Sequence, residues 1–185
     1  MIETERLVLR PWIETDRDAF VGMVTDREVG DWLGGARTRD QAMGDFDRML
    51  AFWTERGHGQ LAVVRNQDGA LVGRVGCRRQ PVEWEHPMVG RVEIGWLLAR
   101  DAWGFGYATE ASAAIIPWGF GVFADDEIYA WTAATNHRSE AVMRRIGMSR
   151  AAALDFEHPA LAAEDPLRSH VVYLARRPIG SSDVR

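Results

Sequence analysis

The tetrapeptide Trp-Gly-Phe-Gly occurs twice, at Trp103–Gly106 and at Trp118–Gly121. The flanks differ, RDA-WGFG-YATEA against IIP-WGFG-VF, so the pair is not an internal repeat. The first copy is the strongest constraint on the fold. It follows Val89–Ala99 (VGRVEIGWLLA), which reads as a strand, and precedes Tyr107–Phe120, which reads as a helix. Strand, glycine turn and helix in succession impose an α/β unit.

Such a turn has a chemical consequence. The start of a helix presents backbone N–H groups without intrahelical partners, and the macrodipole adds partial positive charge there. Glycines remove the side chains that would block an anion. The segment therefore reads either as a phosphate cradle or as a tight turn and nothing more. It is not a dinucleotide fingerprint, because GFGYAT places Thr109 where that motif has Gly or Ala, and no GxxxxGK[ST] is present. The second copy is expected at the opposite pole of the same helix. There Pro117 would kink or end the helix, Gly119 or Gly121 would take the left-handed stop position, and Trp118 and Phe120 would pack in the core.

Elsewhere a strand is expected within Glu5–Trp12, then a helix with Thr15 as N-cap and Phe20, Met23 and Val24 on its apolar stripe. A second helix is capped by Thr38 and stopped at Gly57. Gln60–Arg65 and Ala70–Cys77 form a hairpin around Asp68-Gly69. The proline-flanked Pro81–Pro87 is a loop, Glu127–Ala133 a strand, and Ser139–Ile146 a helix stopped by Gly147. Further strands are expected at Ala151–Phe156 and Val171–Arg176. The fold class is α/β, a single domain over residues 1–178 with a mixed, mostly antiparallel sheet flanked by helices on both faces. Residues 179–185 are expected to be a disordered tail.

Net charge −5 argues against broad nucleic-acid binding, which needs a basic face. No run approaches the roughly 20 apolar residues of a membrane span, and MIETERLVLRPW does not read as a signal peptide. Cys77 is the single cysteine, so no internal disulfide can form. These features fit a cytoplasmic protein. The five histidines are scattered without metal-site spacing, so no metal is expected.

The stretch VEIGWLLARDAWGFGYATEA, followed after the next strand by TNHRSEAVMRRIGM (Thr135–Met148), resembles the GNAT superfamily of acyl-CoA-dependent N-acetyltransferases. It is most similar to the branch of ribosomal-protein N-terminal acetyltransferases, whose first strand ETERLVLRPW also resembles. The resemblance spans about Glu3 to Arg176. It implies that acetyl-CoA is the co-substrate, with its pyrophosphate on the backbone of Gly104, Phe105, Gly106, Tyr107, Ala108 and Thr109. It implies that Leu97, Leu98 and Ala99 offer backbone groups to the pantetheine arm, which would lie in a gap opened where strand Glu127–Ala133 diverges. Asn136 and Ser139 fit the N-x-x-S pattern. Asn136 would bind a pantetheine amide, and Ser139 would stand near the thioester sulfur and protonate the departing thiolate. On the residues alone, Thr135, Asn136 or Ser139 could equally cap the helix.

Direct acetyl transfer needs a base for the amine, polarisation of the carbonyl and departure of the thiolate. Glu93, on the strand feeding the cradle, is the first choice for base, with a structural carboxylate as the other reading. In a regular strand it shares a face with Leu97 and Ala99, and a bulge would change that. Glu83, Glu85, His86, Asp155, Glu157 and His158 are alternatives or solvated loop charges. Two positions depart from the family pattern. Met143 stands where many members have a tyrosine acid, and Asp101 where many have Gln or Arg. Arg144 and Arg145 read as ordinary helix arginines, and Cys77 as core. The expected function is acetyl transfer to a primary amine, a protein N-terminus or a small molecule. The alternative is a CoA-binding regulatory module with impaired chemistry. A homodimer is allowed by the sequence and demanded by nothing in it.

Overall fold

The computed structural model describes residues 1–81 and 87–178. Glu83, Trp84, Glu85, His86 and the tail from residue 179 lie outside the described residues. Among the described residues nine strands form one sheet: β1 (Ile2–Glu3), β2 (Leu7–Arg10), β3 (Gln60–Arg65), β4 (Leu71–Arg79), β5 (Val92–Leu98), β6 (Glu127–Ala133), β7 (Ser149–Arg150), β8 (Phe156–Glu157) and β9 (Ser169–Arg176). Their order is β1-β2-β3-β4-β5-β6-β9-β7, with β8 also on β9. Every pairing is antiparallel except β5 with β6. The mixed, mostly antiparallel α/β class read from the sequence is the observed one.

Five α-helices among the described residues cover the sheet: α1 (Arg17–Thr25), α2 (Arg27–Gly30), α3 (Arg39–Arg56), α4 (Tyr107–Val122) and α5 (His137–Arg145). On one face α1 and α3 bury an aromatic triangle of Trp12, Phe20 and Phe46, with ring centroids 5.4 to 5.8 Å apart. On the other, α4 packs Ala111, Ile115 and Phe120 against Leu7, Val75, Ile94 and Ile128. Thr38 caps α3 through a capping box with Gln41, and Gly57 ends it at φ 68°. The β3–β4 hairpin turns at Gly69, φ 72°, as Asp68-Gly69 implied.

Local expectations fail where tertiary contacts decide. Thr15 is no N-cap. It lies inside a short 3-10 turn, Glu14–Asp16, because buried Asp16 reaches back to Arg10 (2.7 Å) and accepts the Ile13 N–H (3.0 Å). The expected strand at Ala151–Phe156 is instead mostly a 3-10 turn at Ala152–Leu154, with β7 before it and β8 starting only at Phe156. There Asp155 accepts the Val172 N–H at 3.0 Å and pairs with Arg150, which pulls the chain into the turn.

The second WGFG is likewise not a helix stop. α4 runs through Pro117 and the whole tetrapeptide to Val122. Pro117 and Ala113 lie on the exposed side, so water can take the carbonyl that the proline leaves without a donor. Gly119 stays out of the left-handed region. A Cβ there would lie 2.8 Å from Cys77 Sγ and 2.9 Å from Ile128 Cδ1. The glycine lets the helix sit down on the sheet. Trp118 and Phe120 join the core as expected.

Candidate functional site

The strand β5 enters a 3-10 turn at Arg100–Ala102 and then the first WGFG. Gly104 (φ 84°) and Gly106 (φ 82°) both take the left-handed conformation that glycine tolerates. Gly106 is the N-cap of α4 and supplies no side-chain cap. The first helical bond runs from Glu110 N–H to Gly106 O, 3.1 Å. The N–H groups of Tyr107, Ala108 and Thr109 precede it and open on a cleft of about 1780 Å³. An uncapped, sixteen-residue helix pointing its N-terminus into a cleft is suited to an anion. Arg6, from the N-terminal strand region, reaches this loop. It donates to Phe105 O (2.9 Å), pairs with Glu110 (2.6 Å) and lies over the Tyr107 ring. Sequence reasoning missed it, since only the sheet brings β2 to α4.

The strands β5 and β6 meet at one register position, Glu93 opposite Tyr129, and then splay. β5 stays paired to β4 from Val92 to Leu98, and β6 to β9 along its whole length. The gap therefore opens beside the last residues of β5. Leu98 faces Gly73, and Ala99 N–H donates to Val72 O (3.0 Å). The alternation of an antiparallel ladder then turns the backbone of Leu97 toward β4 and that of Trp96 and Leu98 toward the gap. The Leu98 carbonyl takes the Trp103 indole N–H at 3.0 Å. Trp96, Leu97 and Leu98 line the cleft and Ala99 does not. Trp96 is thus an addition to the sequence-derived set, and only the ladder phase reveals it.

Asn136 is nearly buried and caps α5, its Oδ1 accepting the Ser139 N–H at 3.1 Å. The cap reading holds, and it leaves Nδ2 without a partner among the described residues. Asn136 and Ser139 both line the cleft on the far side of the gap. Met143 lines it too, buried in the core, and brings no acid. Asp101 is exposed and outside the cleft lining, so its charge is not turned on the cradle.

Glu93 stands on the opposite face of β5 from Ile94 and Leu98. The β4–β5 register is unbroken, so no bulge alters the parity, and Glu93 shares its face with Leu97. Its Oε2 accepts from Arg78 Nε (3.1 Å) and from Gln80. Its Oε1 lies 3.7 Å from where a Cβ on Gly95 would be, and Gln60 Nε2 lies 3.5 Å from that same point. Burial pushes the Glu93 carboxyl above its ordinary range, against the pull of Arg78, Arg74 and Gln80. A largely buried carboxylate with one oxygen committed and the other over a missing side chain can receive a proton.

The other candidate carboxylates among the described residues are engaged elsewhere. Asp155 is held by Arg150 and the Val172 N–H, and Glu157 pairs with Arg168 at 3.2 Å. His158 lines the cleft, its ring 5.2 Å from that of His170. Arg144 is tied to Glu140 at 2.5 Å. Cys77 is buried against α4, as expected. Among the described residues no group of His, Cys, Asp and Glu is placed to hold a metal, and no helix is long and apolar enough to cross a membrane.

Residues 6–149 match the family model described as acetyltransferase (GNAT) domain. The chain belongs to the GNAT acetyltransferase family. Its enzyme class is accordingly N-acetyltransferase. It is similar to the uncharacterized N-acetyltransferase YoaA of Bacillus subtilis, 23% identical over 152 residues, covering 81% of this chain and 83% of that one. It is also similar to a crystal structure of an acetyltransferase from Agrobacterium tumefaciens, 29% identical, with TM-score 0.73 and coverage of 95% and 94%. The GNAT fold is shared with spermidine N-acetyltransferase from Vibrio cholerae, solved with CoA and spermine. That match is 13% identical, with TM-score 0.70 and coverage of 94% and 96%.

Proposed function

We propose that this GNAT acetyltransferase moves the acetyl group of acetyl-CoA directly onto a primary amine, with Glu93 as the base. The observation that carries the reading is the position of Glu93 at the fork where β5 and β6 part, one carboxylate oxygen open over Gly95. The residues fit acetyl-CoA. The uncapped N–H groups of α4, with those of the Gly104–Gly106 turn, match a pyrophosphate. The Trp96 and Leu98 backbone faces match an amide-bearing arm that adds as a strand does. Asn136 Nδ2 adds a donor on the other wall.

When bound, acetyl-CoA supplies the activated acyl group. Glu93 Oε1 takes the proton from the amine, freeing its lone pair to attack the thioester carbonyl. Carbon–nitrogen bond formation leaves the nitrogen with an extra proton; carbon–sulfur cleavage follows, the Ser139 hydroxyl giving its proton to the thiolate and taking the one the nitrogen sheds. Met143 offers none. The missing tyrosine also motivates the other reading, a CoA-binding regulatory module with impaired chemistry. A thiol-release assay with acetyl-CoA against peptides and small amines separates the two. Turnover that falls in Glu93→Gln and Ser139→Ala supports the enzyme. Binding of acetyl-CoA with no turnover on any amine supports the module.

A further inference from the structure

The chain is acidic overall, with net charge −5, yet the cleft wall around Glu93 has the opposite sign. Arg37, Arg48, Arg74 and Arg78 line it against Asp45 and Glu93. Asp45 is shared by Arg37 (3.1 Å) and Arg48, and Glu93 pairs with Arg78 (3.1 Å). Arg74 has no ion-pair partner among the described residues. Its Nη1 bonds the neutral Gln60 Oε1, and its Nε is buried with no acceptor. Burial pushes this guanidinium down to about 10. A cation sheltered from water, with Glu93 and Asp45 near but neither within ion-pair distance among the described residues, costs the fold free energy. A ligand that brings a negative charge into contact with it would lower that cost.

The place such a ligand would occupy is defined. Gln60, bonded to Arg74, and Glu93 converge on the hollow above Gly95, 3.5 and 3.7 Å from its absent Cβ. The Arg74-bound amide of Gln60 and a proton acceptor thus flank the space that Gly95 leaves by having no side chain. We propose that the acceptor is a compact amine carrying its own carboxylate, as a free amino acid does, with the carboxylate held by Arg74 and Gln60 and the amino group presented to Glu93. A permanently charged, planar guanidinium suits a carboxylate. A polyamine would bring further positive charge to a wall that already has a surplus of it. The proposal rests on the acetyl-transfer reading and narrows its substrate class.

The test compares matched acceptors on the full chain: the free amino acids, the same compounds as primary amides, and spermidine, each with acetyl-CoA. The expected result is at least one amino acid exceeding its amide tenfold or more in kcat/KM, with spermidine behind it. In Arg74→Met that acid-over-amide ratio falls toward one. If Arg74→Met does not fold, Gln60→Ala serves as second variant and lowers the ratio in the same direction. Amides equal to or better than their acids, spermidine in the lead, or an undiminished ratio in a folded Arg74→Met would overturn the proposal. Failure of acetyl transfer itself has a different signature, no thiol release with any amine. In that event calorimetry on CoA-loaded protein decides: an amino acid binding tenfold tighter than its amide supports the carboxylate site, and equal or absent binding refutes it.

Discussion

Glu93 stands directly opposite Tyr129, and that is the single register position at which the parallel strands β5 and β6 are joined. Past it the sheet opens, so the carboxylate sits at the apex of the gap and not along its length. Its pKa is raised, chiefly by burial. Below that pKa the base is protonated and its contribution is lost; above it the contribution is present. The acceptor amine must also lose a proton, with a pKa of about 8 to 10. Because Glu93 takes that proton, log kcat/KM of the wild type should rise with slope one below the Glu93 pKa and level off between it and the amine pKa. Glu93→Gln should lower the rate by about 10²- to 10⁴-fold and show slope one throughout. A wild-type profile that keeps slope one up to the amine pKa, with no plateau, would remove Glu93 from the role.

Gly119 and Cys77 make the second relationship that can be tested. A methyl group at position 119 would meet Cys77 Sγ at 2.8 Å and Ile128 Cδ1 at 2.9 Å. Gly119→Ala removes a helix-interior glycine, which on propensity alone would stabilise. Overpacking against the sheet should win, with a loss of about 1 to 3 kcal/mol. The denaturant midpoint measures it, and a midpoint above the wild type's would mean that α4 does not need this close approach. Because α4 also carries the proposed cradle, affinity for acetyl-CoA should fall alongside.

Cys77 itself should be inert. Burial, with a smaller contribution from Glu93, pushes its thiol up to about 12. The thiolate is the reactive form, so a thiol-specific reagent at a pH of about 8, near the ordinary cysteine pKa, should leave the folded protein unlabelled. It should label one cysteine per chain after unfolding. Fast labelling of the native protein, at a rate independent of denaturant, would show that the α4–β4 contact is loose.

What was legible in the sequence follows from how local each cause is. Strands Gln60–Arg65 and Glu127–Ala133 have the bounds that their own residues dictate, and Thr38 and Gly57 delimit α3 through short-range bonds. The first WGFG was legible for the same reason: two left-handed glycines and a helix start are local events. The second was misread because its decisive contacts, Cys77 and Ile128, come from two distant strands. Arg6, Gln60 and Arg74 were invisible as site residues. Each reaches the cleft through strand register, Gln60 opposite Gly76 and Arg74 opposite Leu97, and nothing adjacent in the chain announces it. The backbone assignment at Leu97 and Ala99 needed the ladder phase, which one hydrogen bond, Ala99 to Val72, fixes.

The central claim is that main-chain N–H groups at the head of α4 hold the pyrophosphate of the coenzyme. Calorimetric titration of the wild type with acetyl-CoA and with acetyl-pantetheine tests it most directly, because the second ligand keeps the thioester and the arm but lacks the pyrophosphate. The account predicts one acetyl-CoA per chain and at least tenfold weaker binding of acetyl-pantetheine. Equal affinities for the two, or no heat with acetyl-CoA, would contradict it.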